Sequence, residues 1–235
     1  MKTEVILFDL DGTLLPMDQD VFVKYYFGLL AKKLAPLGYD PEKLVAAIWK
    51  GTAAMVKNNG ETTNEEVFWN FFTTLFGEKA RDDEPHFTAF YREDFDKVSG
   101  SCGKNERSAE VIALCKEKGL RTVLATNPIF PAIATGKRIK WAGLNQEDFE
   151  LVTTYENSHS CKPNPAYYTE ILQKIGVKAE NCLMVGNDVT EDMVAETLGM
   201  KVFLLTDCII NKNNLDISRY PHGGFDELVA YIQNL

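Results

Sequence analysis

This sequence predicts an α/β fold: a parallel sheet covered on both faces, with a four-helix unit inserted behind its first strand. Three observations predict it. Five short apolar runs have the length and residue types of buried strands, helical patterns alternate with them, and residues 17–98 carry helical periodicity with almost no strand signal. Strands that alternate with helices form parallel sheets sandwiched between helical layers.

Taken in order, residues 4–8 read as the first strand, an apolar run stopped at once by Asp9. Leu15-Pro16 then leads out of the core. Asp18 is placed to cap a helix running to Ala35, and Asp40 before Pro41 starts a second that ends near Asn59-Gly60. Thr63 with Glu66 makes a capping box for a third, and Pro85 opens a fourth. Residues 99–103, with two glycines, bring the chain back. Helices at 106–118, 131–141, 165–175, 191–198 and 225–233 follow, interleaved with strands at 121–125, 151–154, 182–185 and 201–205. The expected division is a core of residues 1–16 and 100–235 and a helical cap of residues 17–99.

Composition narrows the function. With 25 Lys+Arg against 34 Asp+Glu, the net charge of -9 opposes a polyphosphate backbone, so no nucleic-acid partner is expected. No uncharged apolar stretch is long enough to cross a membrane, and the run ending at Phe8 is too short for the core of a signal peptide. The five cysteines, Cys102, Cys115, Cys161, Cys182 and Cys208, are odd in number and lack CxxC spacing. Reduced thiols in a cytoplasmic protein are therefore expected.

The most informative segment is Phe8-Asp9-Leu10-Asp11-Gly12-Thr13-Leu14. In an open α/β sheet ligands gather beyond the carboxyl ends of strands, which is where these two acids fall. Two residues apart on extended backbone, their carboxylates project the same way, so one can attack an electrophile while the other manages protons. A surface Asp-Gly turn is the alternative, but it explains poorly two acids set against a buried strand. At this point the chain resembles the haloacid dehalogenase-like hydrolase superfamily, whose first motif is DxDGT[LV] and whose members are mostly magnesium-dependent phosphatases.

Three further segments match that family's motifs in order at strand ends. Leu124-Ala125-Thr126-Asn127-Pro128 ends a strand in a hydroxyl residue, and a hydroxyl with adjacent backbone N–H groups can hold a phosphoryl oxygen. Alone it would be only a turn. Cys161-Lys162-Pro163 precedes a helix, and lysine is the compact cation that would neutralise a phosphorylated aspartate, although a lone lysine is ordinarily a solvated charge. The fourth segment, Gly186-Asn187-Asp188-Val189-Thr190-Glu191-Asp192, departs from the family, which most often has Gly-Asp where this chain has Gly186-Asn187. Asp188 can take the metal with a local shift, or Asn187 can ligate through its amide oxygen. Asp188 is the favoured ligand, with Asp192 orienting water or Lys162; Glu191 can also merely complement a helix N-terminus.

The resemblance covers essentially the whole chain and implies a Rossmann-like core under a helical lid. It implies Mg²⁺ held by Asp9, the Asp11 carbonyl and Asp188, with Asn187 and Asp192 in support. Asp9 would be the nucleophile and Asp11 the general acid and base, with Thr126, Asn127 and Lys162 binding the phosphoryl group of a small phosphorylated metabolite. The acid at position 11 argues against the dehalogenase and phosphonatase branches. A phosphomutase and a non-catalytic binding protein remain as alternatives. In the lid, Lys50, Lys57, Asn58 and Asn70 are candidates for substrate contact as well as ordinary surface positions. The aromatic runs 67–72 and 25–27 read as bundle core, and His159 as a loop histidine near Lys162.

Overall fold

The computed structural model describes residues 2–103 and 105–235. Strand β1 (Val5–Phe8) sits at the centre of a six-stranded sheet, between β2 (Arg121–Leu124) and β4 (Cys182–Gly186). Outside these lie β3 (Leu151–Val152), β5 (Lys201–Leu205) and the edge strand β6 (His222–Gly223), in the order β3-β2-β1-β4-β5-β6. Every pairing is parallel, and Phe8 stands level with Leu124 on one side and Val185 on the other. Chain order reverses at β1/β4, which opens a crevice beyond the carboxyl ends of these strands.

The alternation of side chains along β1 divides its burial between two layers. Ile6 and Phe8 pack with residues of helices α6 (Arg107–Glu117) and α9 (Phe225–Gln233), while Val5 and Leu7 face Tyr167, Tyr168 and Ile171 of α8 (Pro165–Ile175). Helix α7 (Ala132–Trp141) follows β2. All four residues of β1 are fully buried, as a central parallel strand requires.

Between β1 and α6 the chain forms α1 (Gln19–Leu34), α2 (Pro41–Val56), α3 (Asn64–Phe76), a single turn α4 (Lys79–Asp82) and α5 (Glu84–Glu93). Their starts follow local chemistry. Asp18 accepts from the N–H groups of Asp20 and Val21, Asp40 accepts from Lys43 N–H, and Thr63 and Glu66 complete the capping box. A 3-10 turn over Phe95–Ser101 leads back, and the outgoing and returning segments run side by side: Met17 bridges Cys102, and Gly103 N–H donates to the Pro16 carbonyl at 2.7 Å.

One expectation needs correction, and two elements lie outside the expected set. Residues 191–198 do not form an α-helix but a 3-10 turn, Met193–Leu198, because the Asp192 side chain turns back into the site and left-handed Gly199 ends the segment within two turns. Strand β6 lacks the apolar run that marks a strand. The extra turn α4 carries no capping signal.

Candidate active site

The loops after β1, β2 and β4 converge beyond the sheet. Asp9 extends β1 by donating its N–H to the Val185 carbonyl at 2.9 Å, which fixes its backbone at the strand end. The chain then turns sharply: Gly12 N–H reaches Leu15 O at 2.8 Å, and Thr13 N–H and Leu15 N–H both reach Leu10 O. Gly12 has φ +84°, and a Cβ there would lie 2.3 Å from Asn187 Nδ2, so both conformation and space demand glycine.

Lys162 is buried with its ammonium between two carboxylates, 2.8 Å from Asp9 Oδ1 and 2.6 Å from Asp192 Oδ1. Burial works against the charged lysine, but Asp192 and Asp9 overcome it and hold its pKa well above the ordinary value. Asp192 is anchored in turn by Asp188 N–H, which donates to its Oδ2 at 2.9 Å. The other Asp9 oxygen, Oδ2, lies 3.2 Å from the Thr13 hydroxyl, which is also 3.0 Å from Asn187 Oδ1.

The orientation of Asn187 is set from behind. Its Nδ2 donates to the Cys208 carbonyl at 2.7 Å, and its own carbonyl accepts Ile210 N–H at 2.8 Å. Only the NH₂ end can face the Cys208 carbonyl, so the amide oxygen is presented towards the Thr13 hydroxyl. Asp188 is occupied differently: one oxygen accepts from the N–H groups of Thr190 and Glu191 at 2.7 and 2.9 Å, closing the turn.

Thr126 is buried after β2, its carbonyl pinned by the hydroxyls of Thr153 and Tyr167 at 2.7 and 2.9 Å. Asn127 accepts from Lys162 N–H and donates to Glu191 Oε2 at 3.0 Å, linking the second, third and fourth motifs. Burial raises the Glu191 pKa. Of these, Asp9, Thr126, Asn127, Asn187, Asp188, Glu191 and Asp192 line a cavity of about 350 Å³ between the sheet end and the inserted helices.

A family model for haloacid dehalogenase-like hydrolases matches residues 3–195. The chain belongs to that family. One relative of this hydrolase, haloacid dehalogenase-like hydrolase domain-containing protein 3 of Danio rerio, is 31% identical over 88 residues, which are 37% of this chain and only 36% of the relative. Pyrophosphatase PpaX of Bacillus cereus is 23% identical over 201 residues, 86% of this chain and 82% of the relative. Among solved structures, an HAD phosphatase from Thermococcus onnurineus matches with a TM-score of 0.60 at 18% identity over 98% of each chain. A 2-haloacid dehalogenase from Pseudomonas syringae matches with a TM-score of 0.65 at 17% identity, covering 99% of this chain and 98% of its own. The HAD-hydrolase YfnB from Bacillus subtilis, a structure bound to magnesium, has a TM-score of 0.57 at 18% identity over 99% of each chain. At these identities the structures establish a shared fold.

Sequence reasoning missed Arg138 of this hydrolase. It projects from α7, fully buried, with Nη1 paired to Asp11 Oδ2, Nη2 3.2 Å from the Thr135 hydroxyl, and its guanidinium 4.4 Å above the Phe130 ring. Asp11 Oδ1 is buried without a hydrogen-bond partner among the described residues. Burial pushes the Asp11 pKa up, and the Arg138 charge opposes that rise. The available signal was spacing: Ala134, Arg138 and Ala142 share one helical stripe, with Thr135 and Ile139 beside it, and all are buried.

The lid candidates fall elsewhere. Lys50, Lys57 and Asn70 are exposed and do not line the cavity, and Asn58 is spent on Thr62, Asn64 and Gly60 in its own turn. His159 pairs with Glu170 on the outer surface of α8. Among the described residues no three of His, Cys, Asp and Glu gather as a metal cluster. The donors around Asp9 are nevertheless all oxygens: its own Oδ2, the Asn187 amide oxygen, the Asp188 carboxylate, and an Asp11 carbonyl that accepts no hydrogen bond among the described residues. That set suits a hard divalent cation such as Mg²⁺.

Proposed function

We propose that this hydrolase is a Mg²⁺-dependent phosphomonoesterase that acts on a small phosphorylated metabolite through an aspartyl-phosphate at Asp9. The observation that carries the reading is a buried carboxylate at the end of the central strand, held between Lys162 and Thr13, with a second acid two residues on and a cavity above. Residues 17–99 are the cap in this reading, and residues 1–16 with 100–235 the catalytic core.

Asp9 attacks phosphorus; the Asp9 O–P bond forms and the P–O bond to the leaving alcohol breaks. Asp11 gives that alkoxide its proton. It then takes a proton from water, whose oxygen attacks the aspartyl-phosphate and releases inorganic phosphate and free Asp9. Lys162, the Thr126 hydroxyl and Asn127 balance charge on the transferring oxygens. Asp9, the Asp11 carbonyl and Asn187 or Asp188 would hold Mg²⁺, which supplies further charge neutralisation. Asp192 keeps Lys162 in place. Asp11 also favours phosphate ester over carbon–halogen cleavage, because a departing halide needs no proton. Five unpaired cysteines fit a reducing, cytoplasmic setting.

The test is Mg²⁺-dependent phosphate release by wild type and Asp9→Asn. Wild type is expected to turn over, EDTA to stop it, and Asp9→Asn to lose at least about a thousandfold in kcat. An Asp9→Asn enzyme with undiminished turnover would refute the assigned nucleophile.

A further inference from the structure

The cavity wall supplied by the inserted helices is aromatic and aliphatic. Phe22, Tyr26, Ile48, Trp49, Phe68 and Trp69 stand in it, and among the described residues the helices contribute no charged side chain. Its polar groups are few and partly spent: the hydroxyls of Tyr26 and Tyr91 are 2.7 Å apart and bonded to each other. Gln19, Thr52, Thr88 and the Trp69 indole N–H remain, the last buried without an acceptor among the described residues.

Charge sharpens the point. The core side of the cavity presents Asp9, Asp11, Asp188, Glu191 and Asp192, against a single lining cation among the described residues, Lys212, on the exposed loop beyond Ile210. Lys162 and Arg138 are committed to Asp9, Asp192 and Asp11. A second phosphate or a carboxylate on the leaving group would lie against the lid wall, where among the described residues no cation receives it. A sugar would bring several hydroxyls, each needing a partner, to a wall with few. At the rim, Trp49 and Val56 line the cavity while 49% and 38% exposed, leaving large apolar surface in water that an apolar ligand would cover. The volume, about 350 Å³, lies at the small end of ligand sites.

We infer that the leaving group is an uncharged, apolar alcohol of one or two rings, an aryl or arylalkyl phosphate rather than a sugar phosphate, a bisphosphate or a phosphorylated hydroxy acid. This rests on the phosphomonoesterase reading above. It places specificity in Trp49, Phe68 and their neighbours, and leaves the phosphoryl chemistry to the core.

The experiment compares 2-phenylethyl phosphate with glycerol 3-phosphate, glucose 6-phosphate and phosphoglycolate, all esters of unactivated alcohols, so that leaving-group reactivity does not decide the ranking. Acetyl phosphate, which needs no lid contact, reports the core chemistry alone. The expected kcat/KM for 2-phenylethyl phosphate exceeds those of the three polar esters by at least a hundredfold. Trp49→Ala should lower the ratio of its kcat/KM to that of acetyl phosphate about tenfold, chiefly through KM. If acetyl phosphate is turned over and a polar ester equals or beats the aromatic one, the leaving-group assignment fails and the phosphatase reading stands. If nothing is hydrolysed, acetyl phosphate included, the phosphatase reading fails. Binding then decides the assignment: quenching of tryptophan fluorescence by 2-phenylethylphosphonate at a Kd at least tenfold below that of 3-phosphonopropionate supports an aromatic-selective cavity, and equal or absent quenching overturns it.

Discussion

Arg138 carries a permanent charge into a place water does not reach. Its partner is the Asp11 carboxyl, which borders the cavity and has one oxygen short of a hydrogen bond among the described residues. Two incompletely satisfied groups held face to face depend on each other, and removing one strands the other. Arg138→Met is therefore expected to destabilise the protein by about 3–5 kcal/mol in urea unfolding. Adding Asp11→Asn should recover part of that loss, and strictly additive effects of the two changes would contradict the coupling. Much of the candidate site was legible at this scale. Asp9, Asp11, Thr126, Lys162 and Asp192 are singled out by residue type at strand ends, and the fold brings them together. Arg138 was not legible, because in a run with Lys137 and Lys140 it reads as one more solvated cation. Only its place on the apolar stripe of α7 betrays it. Nor does spacing alone show how Asn187 and Asp188 divide their work; that depends on the Cys208 carbonyl, 21 residues away in the chain.

Helix starts are decided by a few adjacent residues, and so they could be read directly. Asp18, Asp40 and the Thr63/Glu66 pair each satisfy N–H groups that a helix would otherwise leave open. Thr63→Ala should cost about 1 kcal/mol in the unfolding free energy, with the phosphate-releasing site untouched. No measurable loss would mean that α3 is held by packing alone. Elements whose form depends on distant partners were harder. Residues 193–198 have helical composition, yet Asp192 and Gly199 confine them to a 3-10 turn. Two-residue β6 exists because β5 offers it hydrogen bonds, from Leu204 N–H to Pro221 O and from Thr206 N–H to Gly223 O, and not because of its own side chains.

Across the molecule, one apolar cluster runs from Ile6 and Phe8 of the sheet to Phe72 and Phe90 of the inserted helices. Phe95 is a joint in it, fully buried and in ring contact with Phe22, Tyr26 and Phe90 on one side and with Phe130 and Trp141 on the other. Phe95→Ala should cost roughly 3–5 kcal/mol. Wild type should unfold with coincident far-ultraviolet and tryptophan signals, and two separated transitions would show that the layers are independent. The chain nevertheless leaves and rejoins the core at one spot, where Met17 faces Cys102 and Gly103 is bonded to Pro16. The insertion thus hangs on a single doorway in the outline of the core. Whatever stands between those posts can be lengthened, shortened or exchanged for another cassette without rethreading a strand, so one phosphoryl-transfer engine can be fitted with many different antechambers.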